Sequence, residues 1–355
     1  MQIVCICVLF LFTLGILRLN DIGGNKMKSR KLSIILIFML VVSSMFGCAP
    51  EKNNLTENSE PVENVVVEKD KLEIVTTLFP QYYFSKAIGG EFVNVDLLLP
   101  PGTEAHSFEP TPKDMVELLN ADVFFFTGKD MEPWVINIAS NLEDEDIKVV
   151  DLSENIVLIP TTDHEHEEDE HEEDSEGAMD PHYWTDPNMA MIMVDSILDA
   201  LVEIDVEHEA YYVENAVKIK SQLADLDTEI REVLAKTESK TILAGGHFAF
   251  GYFAKQYGLE HLSPYAGFSP NAEPTPQRIT ELIKTINETG AKAIFYEELV
   301  DPKVAKLISE ETGAQMLLLH GTHNVSKEDL ESGKTYFDFM YENLENLKVG
   351  LNYND

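Results

Sequence analysis

The sequence predicts an α/β protein of two lobes, each with a mostly parallel sheet flanked by helices, joined by one long rigid helix. Three observations carry this. Short apolar, β-branched or aromatic runs alternate with helical patterns in both halves of the chain, which is the signature of parallel sheets. Between the two sets, Tyr212, Ala216, Ile219, Leu223, Leu226, Ile230 and Val233 recur at steps of four and three, the spacing of one helical face. That helix, from Glu207 to about Thr237, would be roughly 45 Å long at about 1.5 Å per residue, a strut crossing both lobes. The 355 residues are enough for two domains of ordinary size.

In order, residues 72–77 are a strand, and Phe79-Pro80 opens a helix closed by Gly89-Gly90. A second strand over 93–99 stops at Pro100-Pro101-Gly102. Residues 113–119 are helical, 121–127 a buried strand, 134–141 helical and 148–151 a strand. After an acidic stretch, a helix over 187–204 precedes the long one. The alternation then resumes: strand 241–244, helix 248–257 ended by Gly258, helix 276–289 stopped at Gly290, strand 293–296, helix 302–312, strand 315–319 and a last helix over 335–347. The expected domains are a leader (1–48), a tether (49–71), an N-terminal lobe (72–186), linking helices (187–237) and a C-terminal lobe (238–355).

The leader holds two apolar runs, 3–17 and 32–46. The second follows Lys28, Arg30 and Lys31 and ends at Gly47-Cys48, the grammar of an exported lipoprotein signal with Cys48 as the lipidated residue. Met45 and Phe46 depart from the Leu-Ala/Ser pattern usual before Gly-Cys. Met27 is a natural start for this signal, which would make residues 1–26 an over-extended start. Both runs are short for a spanning hairpin. The tether is rich in Asn, Glu and Pro. Cys5, Cys7 and Cys48 are the chain's cysteines, so the processed body holds neither disulfide nor thiolate ligand, and a metal site there must use His, Asp and Glu.

The formal net charge is −37. It argues against nucleic acid as a partner, since phosphate binding needs basic patches, and favours local enrichment of cations. The run Asp163-His164-Glu165-His166-Glu167-Glu168-Asp169-Glu170-His171-Glu172-Glu173-Asp174 has no apolar residue and reads as a mobile loop over 163–177. Acidic runs are usually only solvated, but His164, His166 and His171 add imidazoles, which favour zinc, copper or nickel over magnesium or calcium. Behind it, Asp180-Pro181-His182-Tyr183-Trp184-Thr185-Asp186-Pro187 reads as a structured loop that fixes His182.

Ligands in open α/β sheets sit at the carboxyl ends of strands. His106 follows strand 93–99, His182 ends the first lobe, His247 follows strand 241–244, and His320 and His323 follow strand 315–319. A single histidine after a strand is more often an ordinary loop residue; loops of both lobes each presenting one is the informative pattern. His208 and His261 lack this setting and read as surface or core. His320 reads as a ligand or as a support beside His323. Glu104, Glu297 and Glu298 also follow strands, as turn or helix caps or as acceptors for a ligand's ring N–H.

The segments Pro101-Gly102-Thr103-Glu104-Ala105-His106-Ser107-Phe108-Glu109-Pro110, Asp180-Pro181-His182-Tyr183-Trp184-Thr185-Asp186-Pro187, Gly246-His247-Phe248-Ala249-Phe250-Gly251-Tyr252 and Gly267-Phe268-Ser269-Pro270-Asn271-Ala272-Glu273-Pro274 carry a resemblance. Over about residues 72–349 the chain is similar to the substrate-binding lipoproteins of zinc- and manganese-type ABC importers. The resemblance implies two lobes on a rigid helix with the metal buried between them. His106 and His182 match the first lobe's ligands and His247 the first ligand of the other. Manganese members are expected to carry a carboxylate at His247. The last ligand is usually an acid after the final strand, where this chain has His320 and His323. His323 stands nearest that position, with His320, a water or Glu104 as alternatives. Zinc members often carry a His- and acid-rich insertion where 163–174 stands, which implies assisted capture or sensing.

The expected function is therefore extracytoplasmic capture of Zn2+ by a monomer, anchored to the outer face of the cytoplasmic membrane, followed by delivery to an ABC permease. Binding needs neutral imidazoles, so affinity should fall toward about pH 6. A manganese- or iron-type protein and a metal-dependent surface adhesin are the alternatives. A zinc hydrolase is remote, since no His-Glu-x-x-His motif is present, and no enzymatic activity is expected.

Overall fold

The computed structural model of the protein describes residues 71–160, 179–265 and 274–354. The leader with Cys48, nearly all of the tether, His164, His166, His171 and the run from Gly267 to Glu273 lie outside the described residues.

In the N-terminal half, strands β1 (Leu72–Thr76), β2 (Val93–Leu97), β3 (Val123–Phe126) and β4 (Lys148–Asp151) form one sheet in the order β2-β1-β3-β4. All pairs are parallel, with Ile74 opposite both Val95 and Val123. Helices α1 (Phe79–Gly89), α2 (Pro112–Leu118) and α3 (Ala139–Asp144) make the crossovers. Helix α2 is set by sequence-local chemistry: Thr111 accepts from the Asp114 N–H, Asp114 caps back, and Pro112 fills the first turn. The helix expected over 134–141 is split instead. A 3-10 turn over Pro133–Asn137 ends at Ile138, whose φ of −119° separates it from α3.

Helix α4 (Pro187–Ile204) starts on an Asp186 cap and leads into α5 (Glu209–Ala235). At 27 residues α5 is about 40 Å long. Its start is tied to α1 by Asn215 Nδ2 donating to Ile88 O at 3.1 Å, and its end to the last residues, where Glu238 N donates to Asn352 O at 3.1 Å. The long helix thus touches both halves. No helix among the described residues is long and apolar enough to cross a membrane.

The C-terminal half repeats the alternation: β5 (Thr241–Leu243), α6 (Gly251–Tyr257), β6 (Glu260–Leu262), α7 (Pro276–Thr289), β7 (Ala293–Tyr296), α8 (Lys303–Thr312), β8 (Gln315–Leu318), α9 (Lys327–Ser332) and α10 (Tyr336–Gly350). Strands β5–β6 and β7–β8 pair in parallel, and an Ala244–Phe295 bridge joins the pairs into the order β6-β5-β7-β8. Helix α6 begins three residues later than the apolar run suggested. Strand β6 and helix α9 were not expected: β6 has only three residues, and α9 is a single polar turn or two capped by Ser326 accepting from Asp329 N–H.

Three apolar cores follow among the described residues. The central one gathers inner sheet faces and the long helices, including Phe84, Phe125, Ile197, Leu223, Phe253 and Leu344. Separate cores lie on the outer sheet faces, around Phe124 and Leu142 in one half and around Ile294 and Ile308 in the other. Strand β3 supplies Val123 and Phe125 to the first and Phe124 and Phe126 to the second, so it is apolar at every position, as expected of a parallel strand covered on both faces.

Leu226 lies fully buried in mid-helix α5. Leu226→Ala should cost about 2–5 kcal/mol, read as a lower urea midpoint with an unchanged slope; a midpoint equal to wild type would show that α5 contributes little to the shared core.

Candidate metal centre

His106 sits in the loop after β2, behind a turn at Gly102, where φ is +82°. Glu104 shapes this loop. Its carboxylate accepts from the backbone N–H groups of His106 and Ser107, each at 2.9 Å, and from the Ser107 hydroxyl at 2.7 Å. Both Glu104 oxygens are thereby committed to the turn, so it acts as a cap and sets the His106 backbone. Of the readings open for Glu104, the structure shows this one.

His182 is held by Asp180, whose Oδ1 lies 2.9 Å from the His182 backbone N and 2.8 Å from Nδ1. A carboxylate at Nδ1 keeps the proton there, so Nε2 offers its lone pair to the pocket. The supporting role of Asp180 was not singled out in the sequence; an Asp two residues before a His is too common to stand out. His247 follows β5 through Gly245-Gly246, and its Nδ1 lies 2.6 Å from Glu297 Oε2, just after β7. Glu297 thus accepts the ring proton, as one of its two expected roles required, and again Nε2 faces inward.

These three rings meet. Their ligand atoms all lie within 4.8 Å of one another, and the ring centroids are 5.0, 5.1 and 5.3 Å apart. His106 Nε2 and His182 Nε2 are 3.1 Å apart. Two nitrogens on one tetrahedral ion with bonds of about 2.0–2.1 Å would be separated by about 3.3 Å. The triangle has the size of a coordination shell.

His323 stands beside it, with its ring 6.4 Å from both His106 and His182, and its Nδ1 is 3.5 Å from Glu298 Oε1. His320 is used differently. Its ring lies on Phe339 at 4.1 Å, its Nδ1 accepts from the Thr322 N–H at 3.0 Å, and its backbone N–H donates to Asn343 Oδ1 at 2.7 Å. His208 and His261 are outside the cluster, stacked on Phe92 and Phe248.

Burial governs the electrostatics. It lowers the His106 pKa to about 3, with His247 and His323 adding repulsion. It lowers His323 to about 4, with His247 adding to the effect, and holds His182 well below the usual imidazole range. At neutral pH these rings are uncharged donors. Burial also pushes the Asp180 carboxyl up to about 7, against the pull of the His182 backbone N–H and of His247.

The structure therefore defines a protein of two parallel α/β lobes with a buried, imidazole-lined cation pocket where their loops meet. The chain belongs to the family described as ZnuA, zinc-uptake complex component A, periplasmic, which it matches over residues 74–350. It is 38% identical over 283 residues to the high-affinity zinc uptake system protein ZnuA of Bacillus subtilis, covering 79% of this chain and 88% of that one. It is 31% identical over 325 residues to the zinc-binding protein AdcA of Streptococcus pyogenes, covering 89% of this chain but 61% of that longer protein. Among solved structures, the Zn(II)-bound ZnuA-like domain of Streptococcus pneumoniae AdcA is similar at a TM-score of 0.67 and 31% identity, over 79% of this chain and 99% of that domain.

A lowered pKa means that the neutral ring persists below the free-imidazole value and is lost only as pH falls through the shifted one. In the metal-free protein at pH 5.5, ring NMR shifts of His106, His182 and His323 should still report neutral imidazole. Midpoints near 6.5 for all three would show the pocket to be wet.

Proposed function

We propose that this protein is an extracytoplasmic carrier that takes Zn2+ as cargo between its two lobes and delivers it to an ABC permease. The observation that carries the reading is the triangle of His106, His182 and His247, drawn from three loops of two lobes, with two of the rings backed by a carboxylate. Nitrogen donors in a closed pocket suit zinc, whereas manganese and calcium favour oxygen. The names of the relatives agree with zinc. His323 is the fourth donor in this reading: it lies beside the triangle, while His320 is turned into Phe339 and the Thr322 N–H.

The same geometry supports a carrier rather than an enzyme. A zinc hydrolase needs an open coordination position and a general base. Here Asp180 and Glu297 are committed to imidazole protons and Glu104 to backbone N–H groups. Lipidation at Cys48, anchorage on the outer face of the membrane, a monomeric state and the division into lobes of 72–186 and 238–355 with linking helices over 187–237 complete the proposal. The lowered pKa values of His106, His182 and His323 keep these three rings neutral below the free-imidazole range, so protons displace zinc from them only at lower pH.

Titration calorimetry tests the site. His106→Ala or His247→Ala should weaken zinc by about two orders of magnitude or more, since each removes a ligand from a four-donor shell; near-native affinity in both sinks the proposal. Deletion of residues 163–174 should leave this affinity intact. Glu297→Gln should keep the fold and weaken zinc about 10–100-fold, because an amide in place of the carboxylate holds the His247 ring proton less firmly. Unchanged affinity in Glu297→Gln would mean that the His247 tautomer is set elsewhere.

A further inference from the structure

The N-terminal and C-terminal lobes meet along two seams near the pocket, and they are unequal. The first is the loop after β8. Phe79 N donates to His323 O at 3.2 Å, Gly102 N to Val325 O at 3.0 Å, and Trp184 Nε1 to Gly321 O at 2.8 Å. Asn324 Nδ2 adds bonds to Pro100 O, at 3.1 Å, and to Thr103 O. This seam is many-stranded and fixes His323 in the frame of the first lobe.

The second seam centres on one side chain, with its ring beside that of Tyr183 and Gly251 packed next to it. Tyr252, from α6 of the C-terminal lobe, is buried, and its hydroxyl sits between two backbone groups of the first lobe. It accepts from Ile159 N at 3.0 Å and donates to Asp180 O at 2.9 Å. Those two segments are themselves paired, with Asp180 N donating to Ile159 O at 2.9 Å and a Pro160–Met179 bridge beyond. The neighbouring residue grips the same target: a Cβ on Gly251 would collide with Asp180 Oδ2. Asp180 is thus held from the far lobe through its carbonyl and packed through its carboxylate, while its Oδ1 aims His182.

We propose that Tyr252 is a positioning residue for metal retention, a cross-cleft latch that keeps Asp180, and through it His182 Nε2, aimed at the cation. This rests on the reading of the pocket as a zinc site. The hydroxyl's one donated and one accepted bond both cross the cleft, so opening this side breaks both, along with the Tyr183–Tyr252 ring contact. The loop after β8 stays closed meanwhile. Asp180 then swings with its own lobe, its carboxylate loses contact with Gly251, and the His182 ring loses its fixed direction. Cation release follows from the loss of one aimed donor.

The test is kinetic. Zinc-loaded full-length protein is mixed with an excess of a chromogenic chelator and release is followed by stopped flow. Tyr252→Phe keeps the ring against Tyr183 and removes only the hydroxyl. It should release zinc about tenfold faster or more, with association within about twofold of wild type, since the closed geometry and not the encounter is changed. The gain in melting temperature on adding zinc should shrink, a readout that a merely structural bond, which weakens metal-free and loaded forms alike, would leave unchanged. Gly251→Ala, which displaces Asp180 without touching the phenol, should speed release in the same direction and carries the test if Tyr252→Phe does not fold. Wild-type release rates in both variants overturn the latch while leaving the zinc site standing. A wild-type protein that binds no zinc overturns both.

Discussion

The structure depends on keeping imidazoles dry, neutral and aimed. A charged imidazole is disfavoured in a pocket with others a few ångströms away, and burial, with repulsion from the neighbouring rings, keeps His106, His182 and His323 uncharged at neutral pH. Neutrality is not sufficient, because a neutral imidazole has two tautomers and a ring that can turn. Asp180 and Glu297 resolve this by accepting the Nδ1 proton of His182 and His247, which leaves Nε2 as the inward lone pair. The cost is a carboxylate behind each of these two rings, fully buried at Asp180 and partly buried at Glu297. For Asp180 it shows as a pKa raised to about 7, a strain that a divalent charge on the far side of the ring would relieve.

The fold is arranged to deliver these groups. Parallel strands in both halves send their carboxyl ends toward the cleft, so the loops after β2, β5, β7 and β8 converge there without long detours. Helix α5 holds the halves at a fixed spacing. Its Asp227 carboxylate accepts from Asn188 of α4 at 2.9 Å and from the Tyr257 hydroxyl of α6 at 2.8 Å, joining the linking helices to the C-terminal lobe. The apolar face of α5, from Tyr212 to Val233, lies in the same core as both lobes' inner faces. The strut is therefore packed along its length rather than bridging open solvent.

Much of this was legible in the residues, and the reasons for the rest are physical. The apolar alternation placed the major strands, and the steps of four and three placed α5 to within two residues, because both patterns are long enough to be unambiguous. Strand β6, with three residues, and the 3-10 break at Ile138 were not, since neither has a period to read. Of the three clustered histidines, His106 and His247 stood out by their position after strands and His182 by its Asp-Pro-flanked loop, with His323 beside them. The preference for His323 over His320 came from position within the resemblance alone; the different surroundings of His320 depend on Phe339, Asn343 and the Thr322 peptide, two of them far off in sequence. Glu104 was open as a cap, as a support or as an alternative ligand, and its hydrogen bonds are those of a turn cap. Tyr252 and Asn324 carried no signal, because their partners lie far off in the chain, at Ile159 and Asp180 and at Pro100 and Thr103.

The contrast between surface and pocket bears on selection. The chain carries 63 acidic residues against 26 basic ones, and such a surface attracts every cation without preference. If acids also lined the pocket, hard ions that favour oxygen would compete on equal terms. Instead Asp180, Glu297 and Glu104 are each turned outward to hold a ring proton or a backbone N–H. The atoms gathered in the cluster are imidazole nitrogens. The carboxylates therefore act twice: many in bulk, to raise the local cation concentration, and a few behind the rings, where they set the direction of softer donors without presenting oxygen to the ion. In the proposed reading, discrimination resides in donor type and in the size of a triangle with sides of 5.0 to 5.3 Å between rings, and neither property depends on the charge that brings the ion to the cleft.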